Sequence, residues 1–150
     1  MGQSLSNILL HVIFSTKNRS PFIDEDIESE LYAYIISISS SLGCYVHEIG
    51  GVADHIHLFI TLPRTLSLSA LLEEIKKVSS KWIKTRGQKY HCFSWQNGYG
   101  AFSVSTSQYD AVVGYISRQK EHHKKHSFQD EFRKILHLNK VPYDERYVWD

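Results

Sequence analysis

His55 and His57 flank Ile56 in a stretch, Asp54 to Ile60, that alternates as a β-strand does. Side chains on a strand point to opposite faces in turn, so both imidazoles project from one face and Ile56, Leu58 and Ile60 from the other. Two imidazoles one strand step apart can share a metal ion, because imidazole binds manganese, iron, nickel and zinc and can join oxygen donors around a harder ion. The same spacing also suits a satisfied histidine pair at a sheet edge. Further along, Tyr115 and Gln119 are spaced so that a helix sets a phenol beside an amide oxygen on one face. A phenol, with a pKa of about 10, is a weak nucleophile, and a metal that polarises an electrophilic phosphate compensates for that weakness. The set reads as His55, His57 and Gln119 around a metal, with Tyr115 as nucleophile.

The elements that must position these residues follow from periodicity. Asn7 to Thr16 is a nearly continuous apolar run of strand length, as for a strand buried on both faces, and Ser20-Pro21 ends it. Asp24 to Leu42 reads as a helix with acidic first turns and a core stripe of Ile27, Leu31, Tyr34, Ile35 and Ile38, stopped by Gly43. Tyr45 to Ile49 reads as a strand, Gly50-Gly51 as a turn, and His55 to Leu62 as the hairpin partner, which makes the histidine strand central. Ser67 to Thr85 is an amphipathic helix whose outer flank carries Lys77, Lys81 and Lys84, with Lys76 nearby. Tyr90 to Ser105 suggests a turn and a last strand, with Phe93, Phe102 and Val104 in the core and other aromatics free to stack. A tyrosine helix follows over about residues 107–125, with Ser107 as its cap, and a shorter helix and tail occupy about residues 128–150. His122 and His123 lie in the basic run Arg118 to His126; a solvated helix end is the preferred reading for both, a metal ligand or general acid the alternative.

With 150 residues the chain fits one domain able to bury a core unaided. At 42% apolar and 22% charged residues it is balanced as a globular protein, and no apolar run is long enough to span a bilayer. The first residues lack the pattern of a signal peptide, so the expected location is the cytoplasm. Cys44 and Cys92 are expected to be reduced and buried. A net charge of +1 does not announce a nucleic-acid binder, so any DNA surface must come from local clusters, for which Lys17, Arg19, Lys77, Lys81 and Lys84 are the candidates.

The ordered combination of His55-Ile56-His57 on a strand and Tyr115-Ile116-Ser117-Arg118-Gln119 on a helix resembles the HUH endonucleases, within them the single-tyrosine transposases of insertion-sequence 200 type, including repeat-associated ones. Supporting stretches are His11 to Arg19, Ser79 to Trp82, Gly98 to Ser105 and Asp144 to Trp149. The resemblance implies an enzyme that cleaves and rejoins single-stranded DNA at hairpins near element ends through a 5′-phosphotyrosine at Tyr115, without ATP. It implies Mg²⁺ or Mn²⁺ on His55, His57 and Gln119. It also implies a homodimer in which each tyrosine helix, hinged at Ser103 to Ser107, can complete its partner's site.

The strand, helix, strand, strand, helix, strand order fits an α+β, ferredoxin-like (RRM-like) sandwich with a four- to five-stranded antiparallel sheet, helices on one face, and the nucleophile helix after it. Two rivals remain at this level: a non-catalytic nucleic-acid-binding module on the same scaffold, and a zinc hydrolase using His55, His57 and His122 or His123. A domesticated, repeat-associated transposase is a third possibility within the same class.

Overall fold

A computed structural model describes residues 2–150. Its chain order is β1 (Leu9–Ser15), α1 (Glu28–Ser41), β2 (Tyr45–Val52), β3 (His55–Thr61), α2 (Leu68–Ile83), β4 (Gly100–Val104), α3 (Tyr109–Ser117), α4 (Gln119–His122) and α5 (Phe128–Leu138). The strands form one antiparallel sheet in the order β2-β3-β1-β4, which is the ferredoxin-like arrangement. The two central strands, β1 and β3, are buried on both faces, as their apolar runs require.

Strand alternation decides what each face receives. Val12, Phe14, Ile56, Leu58 and Ile60 point to one side and pack with Leu31 and Ile35 of α1 and Leu71 and Ile75 of α2. That is the helical layer expected from sequence. The C-terminal helices take the other side, where Ile116 of α3 meets Leu9 and Phe59, and Phe128, Phe132 and Leu136 of α5 meet Ile13 and Phe102. His11, His55 and His57 are buried on this second face, between the two apolar clusters.

Local signals set the element ends. Gly43, at φ +79°, closes α1 in a Schellman motif, its amide reaching Ser40 O and the Cys44 amide Ser39 O. The Ser67 hydroxyl caps α2 by accepting from the Ala70 amide, and Ser127 does the same for α5 through Asp130. The expected cap on the tyrosine helix does not form. Ser107 lies in a 3-10 turn, Thr106–Gln108, facing the Ser105 hydroxyl, and α3 starts after it. Helix α1 likewise starts later than the acidic run suggests, after a non-helical turn over residues 25–27.

Gly50-Gly51 is not a turn. Both glycines lie in β2, paired with His57 and Ile56, and the chain reverses at Ala53-Asp54 instead. The reason is a close approach: a Cβ on Gly50 would come within 2.7 Å of the Ile116 backbone oxygen, so α3 can lie across β2 only where the strand has no side chain. Cys92 is exposed rather than buried, whereas Cys44 is buried as expected. Trp149 of the tail packs on Phe128 and Phe132, while Tyr143 and Tyr147 remain exposed. Among the described residues no helix is long and apolar enough to cross a membrane.

Candidate active site and metal centre

β3 presents the two histidines as its alternation requires, and both are fully buried. Their ring nitrogens converge on a residue that the strand motif does not contain. The Nε2 atoms of His55, His57 and His123 lie 3.3, 3.1 and 3.0 Å from Oε1 of Glu131, which α5 delivers to the same point. One donor atom from each of these residues falls within 4.8 Å of every other, a group able to hold a metal ion.

The other carboxylate oxygen faces the tyrosine. The Tyr115 hydroxyl donates to Glu131 Oε2, and Gln119 Nε2 donates to the same oxygen at 2.9 Å. Gln119 Oε1 in turn lies 3.2 Å from His55 Nε2. The expected residues Tyr115, Gln119, His55 and His57 are thus brought together within one chain. They do not sit on one unbroken helix: α3 ends at Ser117, Arg118 (φ −102°, ψ 17°) forms the joint, and Gln119 opens α4.

Two surrounding contacts orient the ligating histidines. Asp54 Oδ1 accepts from His55 Nδ1 at 2.7 Å, leaving Nε2 to face the centre, the carboxylate-histidine relay found around metal ions. His11, from β1, lies 2.7 Å through Nε2 from His57 Nδ1 and fixes the orientation of the second histidine's ring. In the sequence His11 stands out only as part of the first strand; a lone histidine in an apolar strand run, on the parity that faces His57, is the signal that marks it.

The electrostatics are those of one buried carboxylate among imidazoles. Burial opposes the Glu131 charge, but hydrogen bonds from His123, His55 and His57 outweigh it and hold the carboxyl well below the usual range. Burial likewise opposes charge on His55, yet hydrogen bonds with Asp54 and Glu131 raise its pKa to about 8. Desolvation dominates at His57 and His11 and lowers them to about 4 and about 3, so both are neutral. Burial, then the hydrogen bond to anionic Glu131, pushes the Tyr115 phenol up. In this arrangement the phenol is a poorer nucleophile than a free tyrosine until positive charge enters beside Glu131.

His123 and Glu131 therefore correct the sequence reading. His123 is not a solvated helix end: its side chain is only 8% exposed and its Nδ1 is held by His126 O at 2.7 Å. His122 is half-buried, with Nε2 3.4 Å from Glu131 Oε2 and no hydrogen-bond partner. Glu131 carried one sequence signal, an acid on the apolar stripe of α5 beside Phe128 and Phe132.

The five candidate cations fall in different places. Arg19 lines a hollow with Lys120, His123 and Lys124 next to the centre, and its guanidinium lies over Trp149. Lys77, Lys81 and Lys84 line a separate groove of about 790 Å³ between α2 and the Ser94 to Tyr99 loop, where Lys77 pairs with Glu74. Lys17 is exposed just past β1. Lys76, their neighbour, is turned inward onto the carbonyl oxygens of Gln96, Asn97 and Gly98.

Comparison with known proteins places the chain in a family. A crystal structure of a candidate transposase from Deinococcus radiodurans superposes with a TM-score of 0.62 at 17% identity, covering 79% of this chain and 96% of that one. A REP-associated tyrosine transposase bound to a REP hairpin superposes with a TM-score of 0.61 at 19% identity, covering 82% and 74%. At these identities both likenesses speak for the fold. No curated protein sequence matches the chain. The sequence model described as "Transposase IS200 like" matches residues 4–119, a span that takes in His55, His57, Tyr115 and Gln119 and stops short of His123 and Glu131. The chain belongs to the IS200-like transposase family.

Proposed function

We propose that the protein cuts and rejoins single-stranded DNA at hairpin-marked ends, with Tyr115 as nucleophile. The observation that carries this reading is the convergence of Tyr115, Gln119, His55, His57, His123 and Glu131 on one buried centre. The Tyr115 oxygen attacks a phosphodiester phosphorus; the bond from phosphorus to tyrosine oxygen forms as the bond to the 3′ oxygen breaks. The products are a 5′-phosphotyrosine and a free 3′ hydroxyl, and a later attack by a 3′ hydroxyl reverses the step. Bond energy is kept in the phosphotyrosine, so no ATP is needed.

Glu131 Oε2 accepts the hydrogen bond of the Tyr115 hydroxyl and so fixes where the attacking oxygen sits, while Gln119 keeps that carboxylate in position. Asp54 and His11 fix the orientation of His55 and His57. The donor set fits a divalent cation: three imidazole nitrogens and one carboxylate, mutually close, with His55, His57 and Glu131 buried and His123 partly so. That mix favours Mn²⁺, and also Zn²⁺, over Mg²⁺, which takes mainly oxygen donors. Bound there, the cation supplies positive charge that polarises the scissile phosphate and offsets Glu131.

The hairpin assignment draws on the family and on the two basic surfaces, Arg19 with Lys120 and Lys124, and Lys77 with Lys81 and Lys84. The test is a denaturing gel with hairpin oligonucleotides from the DNA flanking the gene. A covalent adduct is expected with Mn²⁺, and none with EDTA or with Tyr115→Phe; an adduct that survives Tyr115→Phe moves the nucleophile elsewhere. A homodimer that swaps tyrosine helices about Ser103 to Ser107 belongs to the same proposal. Mixing His57→Ala with Tyr115→Phe subunits recovers cleavage if sites assemble in trans. No recovery in proven heterodimers leaves the arrangement within one chain as the active one.

A further inference from the structure

A cleft of about 510 Å³ opens between α3 and α5, and the reaction above uses only its inner end. Its inner end is the Tyr115 ring and Glu131; its walls are Val112 and Ile135; Leu138, 67% exposed, stands at the mouth with Lys134. A second hollow, also about 510 Å³, shares Tyr115, His122 and His126 with the cleft and is otherwise lined by Arg118, Lys124, Lys125 and one acid, Glu121. The imidazoles of His122 and His126 are stacked at the boundary, with centroids 4.8 Å apart and planes 28° from parallel. His122 Nε2 is buried there without a hydrogen-bond partner.

We propose that the cleft between α3 and α5 receives one unpaired nucleobase adjoining the scissile phosphate, with the cationic hollow beside it holding the next phosphate. This rests on the strand-cleavage reading and specifies its substrate. The chemistry of the two halves differs as the two parts of a nucleotide differ. A base offers a flat, weakly polar face that aliphatic and imidazole side chains can cover, and a phosphodiester offers an anion that Arg118, Lys124 and Lys125 can meet. Tyr115 lies where the halves join, so a strand threading both passes its backbone across the nucleophile. The volume lies within the usual range of about 300–1,000 Å³ for small-ligand sites, enough for one base. Helix α5 builds one wall, so base preference at this position belongs to a segment outside the residues matched to the family.

The experiment is an abasic scan of the single-stranded arms of the same hairpins. Affinity is read by fluorescence anisotropy with the Tyr115→Phe protein in Mn²⁺, and adduct yield with the unsubstituted protein. One arm position at which loss of the base costs tenfold or more in affinity is expected. That sensitivity should vanish when Ile135→Trp fills the cleft, or when Leu138→Trp, at an exposed site that folding tolerates, closes its mouth. A flat scan, or a sensitive position unaffected by both substitutions, overturns the proposal. Sedimentation showing a dimer that Ile135→Trp dissociates, with a flat scan, assigns the cleft to a second copy and also overturns it. If hairpins bind but no adduct forms, the cleavage reading fails while the anisotropy scan still decides the cleft. If hairpins do not bind, both fail.

Discussion

Tyr115 and Glu131, sixteen residues apart on two different helices, share a hydrogen bond in which the phenol donates to one carboxylate oxygen while three histidines surround the other. One side chain thus joins the nucleophile to the metal donors. Replacing Glu131 by Gln keeps the shape but removes the charge on which three imidazoles converge. Mn²⁺ affinity, by calorimetric titration, should fall tenfold or more, and stability in EDTA should drop by about 1–3 kcal/mol, as for a buried network left partly unmatched. His123→Ala should weaken Mn²⁺ binding similarly, whereas His122→Ala should leave it nearly unchanged; equal losses from both would refute the four-residue donor set.

The contact between Gly50 and the Ile116 backbone sets where the tyrosine helix lies. Gly50→Ala puts a methyl against main-chain atoms that cannot rotate away, so α3 must shift. The expected cost is about 1–3 kcal/mol by urea denaturation, as for overpacking. Adduct formation should fall far more than Mn²⁺ affinity, because Tyr115 rides on α3 and the histidines do not. Unchanged adduct yield would show that the helix position is not critical.

Protonation of His55 gives the metal-free protein a pH signature. Its folded pKa of about 8 exceeds the ordinary 6.5, so its contribution is fully present below pH 6.5 and is lost as pH rises through 8. His57 and His11 are lowered, so they oppose folding as pH falls below 6.5. Stability in EDTA should peak near the ordinary histidine pKa and decline from there toward pH 8. Asp54→Asn should flatten that decline. Metal affinity should run the opposite way and rise between pH 6.5 and 8, since the ion displaces the His55 proton. Stability that climbs over this window would overturn the assignment.

Lys81 and Lys84 line the groove between α2 and the Ser94 to Tyr99 loop. If hairpin phosphates lie there, Lys81→Glu with Lys84→Glu should weaken hairpin binding and flatten its dependence on salt by about one unit of slope for each phosphate left without its lysine. Mn²⁺ affinity should be untouched. An unchanged salt slope would remove this groove from the DNA path and leave the Arg19 hollow as the candidate.

Much of the site is legible in the chain because its motifs are local. Strand alternation puts His55 and His57 on one face whatever the rest of the protein does, and a four-residue step on a helical segment brings Gln119 near Tyr115 even across the joint at Arg118. The order of elements is enough for the ferredoxin-like sheet. Gly50-Gly51 misleads, because a glycine pair signals a turn as readily as a close approach, and only the position of α3 separates the two.

What the sequence by itself determined, then, is the sheet, the histidine pair and the tyrosine helix, each set by backbone periodicity over a few residues. The tertiary structure decided the remainder of the centre. Glu131 meets His57 because Phe128, Phe132 and Leu136 bury α5 against Ile13 and Phe102 on the histidine face, and His123 reaches Glu131 because the chain between α4 and α5 turns back toward the same place. A basic run such as Arg118 to His126 is solvated by default. Contact across 74 residues depends on which face of the sheet a later helix covers, and that is settled by long-range burial of apolar surface rather than by local spacing.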